Sequence, residues 1–86
     1  MTESLLEFPA EVTVKAMGLS SDSFAQTVET LVRQHLEPGA DCQVREVQSS
    51  KGKYTSVSVT FVARDQAHLE GVYASLNTCP DIVFKL

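Results

Sequence analysis

The stretch SSKGKYTSVSVTFV, residues 49–62, decides the fold. Its opening residues hold Gly52, the residue type that takes the positive φ a short hairpin loop often needs. From Tyr54 onward the chain alternates. Val57, Val59 and Phe61 fall on one side and Ser56, Ser58 and Thr60 on the other, which is the period of a strand with one apolar and one polar face. Such a strand belongs in an antiparallel sheet that is covered on one side and wet on the other. The rest of the chain supplies the partners and the cover.

Immediately upstream, DCQVREV (residues 41–47) alternates weakly, with Cys42 and Val44 against Gln43 and Arg45, and reads as a strand at a sheet edge. Further back, EVTVKAM (residues 11–17) puts Val12, Val14 and Ala16 on one side and reads as a first strand that Gly18 ends. Between these two, Ser20, Ser21, Asp22 and Ser23 offer N-caps to a helix whose apolar residues Phe24, Val28, Leu31, Val32 and Leu36 follow the 3.6 period. Ser23 and Gln26 have capping-box spacing, and Glu37, Pro38 and Gly39 stop the helix.

Downstream of the hairpin, Asp65 caps a second helix with the stripe Leu69, Val72, Tyr73 and Leu76, broken by residues 77–80. IVFKL (residues 82–86) sets Ile82, Phe84 and Leu86 against Val83 and Lys85 as a closing strand. A short lead, residues 1–9, carries Leu5, Leu6 and Phe8 and ends at Pro9.

The order strand, helix, strand, strand, helix, strand is that of an α+β, ferredoxin-like βαββαβ sandwich: a four-stranded antiparallel sheet with two helices on one face. Right-handed crossovers put strands one and three in the middle and strands two and four at the edges. The 86 residues make one domain, 1–86, with a single core. A hydrophobic content of 43% with 21% charged residues is globular rather than disordered.

A net charge of −4 opposes general binding to nucleic acid, whose affinity comes mostly from neutralising phosphates. Cys42 and Cys79 lack CxxC or Cys/His ligand spacing, so they read as reduced thiols of a cytoplasmic protein, with neither a metal nor another cofactor. No apolar run approaches the roughly 18 residues of a membrane span. The chain is expected to be soluble, with no membrane partner.

The segments LLEFPAEVTVKAMG (residues 5–18), SSKGKYTSVSV (49–59) and DIVFKL (81–86) together resemble the YbeD-like family of small bacterial proteins of uncharacterised function. The similarity spans nearly the whole chain, and the hairpin is its most specific part. The resemblance implies a ferredoxin-like fold similar to ACT regulatory domains, which bind amino acids beside metabolic enzymes. It also implies a housekeeping context near a lipoate-attachment gene. It brings no catalytic residues.

Chemistry is thinly represented. His35 near the end of the first helix and His68 in the first turn of the second read as partly exposed flank residues, and no local Ser/His/Asp or Cys/His arrangement supplies a nucleophile with its base. Lys51, Gly52 and Lys53 precede a strand, whereas a phosphate loop opens a helix, so they read as a hairpin tip. RNA-recognition modules of this topology stack bases on exposed aromatics of the third strand. Here Phe61 shares parity with Val57 and Val59, and Tyr54 is the sole candidate platform.

Two binding readings remain. In the first, the open side of the sheet carries Lys15, Arg45 and Lys85 among Thr13, Gln43, Ser56, Ser58 and Thr60, with Glu11 as its acid, while Asp22, Glu29, Asp65 and Glu70 belong to the helical side. With Lys51, Lys53 and Tyr54 of the hairpin, this makes a mildly cationic docking face for an acidic protein partner or a second copy of the chain. The expected function is then a non-enzymatic regulatory or protein-interaction module. In the second reading, the turn MGLSSDSF (residues 17–24) takes a small amino-acid or carboxylate effector at Gly18, Ser20 and Ser21, as the comparable ACT loop does. Lys15, Ala16 and Met17 stand where ACT domains often carry an acid before that glycine. The exposed edges, the second and last strands, are also candidates for joining a homodimer.

Overall fold

A computed structural model describes residues 7–85, with side chains of the last strand described through Val83. Leu5, Leu6 and Leu86 lie outside the described residues. The elements are β1 (Ala10–Leu19), α1 (Phe24–Arg33), β2 (Gln43–Gln48), β3 (Tyr54–Ala63), α2 (Gln66–Asn77) and β4 (Ile82–Lys85). They form one sheet in the order β2-β3-β1-β4, every neighbouring pair antiparallel. This is the α+β, ferredoxin-like sandwich read from the sequence, with β3 and β1 central.

The alternation acts as expected. Val14 and Ala16 of β1 and Val57, Val59, Phe61 and Ala63 of β3 are buried, and they meet Phe24, Val28 and Val32 of α1 and Val72 and Leu76 of α2. Fully burying side chains of the Val, Leu or Phe type stabilises by about 1.5–3 kcal/mol each, so this single layer dominates the favourable side of folding. The hairpin closes where Gly52 takes φ +72°. Its ends are stitched by the Ser49 N–H donating to the Tyr54 carbonyl at 2.8 Å and the Gly52 N–H donating to the Ser49 carbonyl at 2.9 Å.

Four local expectations differ from the structure. β1 does not end at Gly18: Leu19 still pairs with Tyr54, and the Ser20 N–H donates to the Lys53 carbonyl at 2.9 Å. The capping box is not formed. Ser23 sits at φ −109°, ψ 0°, a helical conformation, and its side chain caps nothing, whereas an N-cap usually reaches its donor from extended backbone. Asp65 has that geometry, at φ −163°, ψ −179°, and accepts the His68 N–H at 2.8 Å.

The third difference is that α1 ends at Arg33 and the chain continues to Leu36 through tighter bonds, His35 N–H to the Val32 carbonyl at 2.9 Å and Leu36 N–H to the Arg33 carbonyl at 3.0 Å. The fourth concerns β4. Its register with β1 shifts between Met17 and Gly18, which breaks the strict alternation that assigned Lys85 to the open face; its backbone pairs with Ala16, and its side chain lies outside the described part.

Candidate functional site

Pairing fixes which side chains share the uncovered side of the sheet, because residues directly opposite one another in an antiparallel pair lie on the same face. Since Val14 and Val59 pair and are buried, the open face takes the other parity, and it is ordered in rows across β1, β3 and β2. Glu11 and Val62 lie at one end, followed by Thr13, Thr60 and Gln43, then Lys15, Ser58 and Arg45, then Met17, Ser56 and Val47, and finally Leu19 with Tyr54. The face is therefore graded. One end is apolar, the middle cationic, and the far part hydroxyl-rich.

The central stripe is low. Ser56, Ser58 and Thr60 are half-buried between taller exposed residues on β1 and β2. Two shallow hollows follow, one of about 210 Å³ among Lys15, Arg45, Val47, Ser56 and Ser58, and one of about 390 Å³ that shares Arg45 and Ser58 and extends over Thr13, Gln43 and Thr60. Thr13 and Thr60 hydroxyls bond to each other at 2.8 Å. Neither Lys15 nor Arg45 is ion-paired among the described residues; the ion pairs there are Arg33 with Glu29 and Arg64 with Glu37. Two unpaired cations thus flank Ser58 on a chain of net charge −4.

Of the residues singled out from the sequence, Lys15, Arg45, Ser56, Ser58 and Tyr54 meet on this face, with Lys51 and Lys53 at the adjoining hairpin. The Lys53 ammonium lies over the Tyr54 ring, 5.5 Å from its centroid. Leu19, Met17 and Val47 were not anticipated. Leu19 is 56% exposed and Val47 52% exposed. Their parity with Lys15 and Arg45 is the signal that finds them. Phe61, only 2% exposed, belongs to the core and offers no stacking platform.

Gly18, Ser20 and Ser21 are differently engaged. A Cβ at Gly18 would lie 2.3 Å from the Asp81 carbonyl oxygen and 2.6 Å from the Phe24 ring, so this glycine admits the chain before β4 and a core aromatic. The Ser20 hydroxyl is bonded to that of Thr55 at 2.7 Å, and Ser21 is exposed. A hollow of about 350 Å³ lies along α1, beginning at Ser23 and lined by Gln26, Thr27, Thr30 and Leu31.

The histidines form a structural joint. His68 is 8% exposed, not a flank residue. The Arg64 N–H donates to its Nδ1 at 3.0 Å, so Nδ1 is the bare nitrogen and Nε2 carries the proton, which it donates to the His35 carbonyl at 2.6 Å. Its ring stands edge-on to Phe61 at 5.8 Å. His35 Nε2 in turn meets the Ser75 hydroxyl at 2.6 Å, a pairing of residues distant in sequence.

A nucleophile–base pair also needs a third group to orient the base. The other ring nitrogen of His35 faces Gly71, and among the described residues no carboxylate bonds to the ring. The arrangement ties the end of α1 to α2. Cys42 and Cys79 are free and half-buried, and burial pushes the Cys42 thiol above its ordinary range against the lowering effect of Arg33. No group of three or more metal-ligating side chains occurs among the described residues, and no helix there is long and apolar enough to cross a membrane.

Fold and face together define a small α+β, ferredoxin-like protein with an open antiparallel sheet. The description "Protein of unknown function (DUF493)" matches residues 3–86, and the chain belongs to that family. UPF0250 proteins are similar over nearly the whole length: that of Paraburkholderia phytofirmans is 38% identical over 93% of this chain and 90% of its own. That of Idiomarina loihiensis is 37% identical over 98% of this chain and 93% of its own. This is the small uncharacterised bacterial family that the leader, hairpin and C-terminal motifs resemble. The solution structure of HP0495 from H. pylori has the same fold, with a TM-score of 0.79 at 12% identity over 98% of this chain and 88% of its own.

Proposed function

We propose that this protein is a non-enzymatic regulatory or protein-interaction module of the cytoplasm that binds its partner on the open sheet face and the hairpin at residues 49–54. The observation that carries this reading is the composition of that face. Leu19, Val47 and Val62, three of the five exposed large hydrophobics among the described residues, lie on it, with Lys15 and Arg45, unpaired among those residues, between them. Apolar anchors beside unsatisfied charge are the ingredients of a docking surface, the first supplying affinity and the second register and encounter rate.

The test is affinity capture with wild type, with Lys15→Glu/Arg45→Glu, and with Glu70→Lys on the helical side. Wild type and Glu70→Lys should retain the same specific partner and the open-face variant should lose it. Identical capture by all three would refute the reading.

A second reading is a sensor for a small amino acid or carboxylate near residues 17–23. The hollow that begins at Ser23 favours it; the filled space at Gly18 and the engaged Ser20 hydroxyl weigh against it. A thermal-shift screen with amino acids and lipoate-related acids separates the two, since only a ligand of the native state raises Tm.

A further inference from the structure

The two edges of the sheet differ in how they are protected. Edge strands are ordinarily blunted by shortness, a bulge, proline or lysine, because their free N–H and C=O groups recruit other strands. β4 is four residues long and its register shifts against β1. β2 has neither proline, lysine nor a bulge, and its only guards are the charges Arg45 and Glu46, which an incoming strand must match. Its six residues, QVREVQ, hold an unbroken register with β3, all six are exposed, and Val44 and Val47 expose 39% and 52% of their surface.

The sequence of β2 also says what fits. Laid antiparallel against itself over its whole length, it would set Gln43 against Gln48, Val44 against Val47 and Arg45 against Glu46, so that every cross-strand pair is complementary. A whole second copy cannot take this pairing. Joining two β2 edges antiparallel into one sheet requires a two-fold axis normal to the sheet, which keeps open face with open face. Each residue must then oppose one of its own parity, and Arg45 and Glu46 differ in parity. The allowed registers centred on the strand oppose Arg45 to Arg45 or Glu46 to Glu46, and like charges directly opposite are destabilising. A strand that brings no sheet of its own escapes the constraint.

We infer that β2 is an acceptor edge for an extended segment of another protein, bound antiparallel, whose residues read apolar, basic, acidic, apolar from N to C terminus. The acid meets Arg45 on the open face, the base meets Glu46 on the helical side, and the apolar residues cover Val47 and Val44. This is strand addition, with backbone bonds giving affinity and the alternating side chains giving choice. It shares Arg45 and Val47 with the open-face reading but not Lys15, which lies two strands away on β1 and belongs to that reading alone.

The probe is a capped peptide of the β2 sequence itself, residues 43–48 between flanking threonines, titrated to about 2 mM against isotope-labelled full-length protein. Amide shifts should concentrate in residues 43–48, with nuclear Overhauser contacts between peptide and β2 in the antiparallel register. The same peptide with its arginine and glutamate exchanged turns two opposite-charge pairs into like-charge pairs and should bind about tenfold more weakly. In Arg45→Glu/Glu46→Arg, both exposed positions, the preference should invert, while Lys15→Glu leaves affinity within about twofold. Absence of shifts in β2, equal binding of the two peptides, or a preference that the double substitution leaves unchanged overturns the inference. So does light scattering that finds a dimer joined through β2.

Discussion

Neighbouring residues of β3 live in opposite surroundings. Val59 is fully buried against the helices, while Ser58 beside it lies on the open face between Lys15 and Arg45. The same contrast runs the length of β1, where Val14 and Ala16 are buried and Lys15 between them is exposed. The two alternating sets answer to different demands. On the covered face what matters is volume, because a packed core tolerates neither voids nor surplus atoms. On the open face volume matters little, and on the proposed function the chemistry presented to a partner decides.

The largest break in that contrast should come from emptying the covered face. Phe61→Ala should cost about 3–5 kcal/mol in urea unfolding, as large aromatic truncations in cores do, whereas Val62→Ala one residue along should stay within about 0.5 kcal/mol. Equal effects would mean that the faces are not segregated. His68→Leu comes next. The substitution keeps an apolar body but leaves the Arg64 N–H and the His35 carbonyl without partners, at about 2–4 kcal/mol. A leucine variant as stable as wild type would remove the histidine joint from the account.

Overfilling should cost somewhat less than emptying. Gly18→Ala forces the chain at Asp81 and the Phe24 ring to move and should cost about 1–3 kcal/mol, with the loss of amide protection concentrated in β4. Unchanged protection of β4 would contradict the packing role given to this glycine. The smallest effect on stability belongs to the open face, where Ser58→Ala should stay within about 0.5 kcal/mol.

Much of this was legible in the sequence, for a physical reason. Strands β1 and β3 declare themselves because each is covered on one side only, so burial imposes a period of two on the residues themselves. Lys15, Arg45, Ser56 and Ser58 could be grouped from parity alone. What stayed hidden depends on contacts that no local pattern records. His68 reads as a flank residue beside the apolar stripe that begins at Leu69, yet it lies four residues before Val72 and eight before Leu76, and these three are the buried face of α2. Its two partners, at Arg64 and His35, are brought together only by the fold.

Ser23 has capping-box spacing but lacks the extended backbone from which its hydroxyl would accept the N–H of Gln26. The register shift opposite β4 is equally invisible, so the alternation there could not assign Lys85. Leu19 was missed because Gly18 reads as the end of a strand, although a glycine that makes room for a neighbour need not end anything.

The covered face makes the fold, and the open face is proposed to make the contact. The most direct measurement compares wild type with Lys15→Glu/Arg45→Glu in thermal unfolding and in capture of the partner under identical conditions. Melting temperatures should lie within about 3 °C of each other, since both positions are exposed, and the captured partner should be lost from the variant alone. A variant that melts alongside wild type and still captures the same partner would contradict that role for the open face.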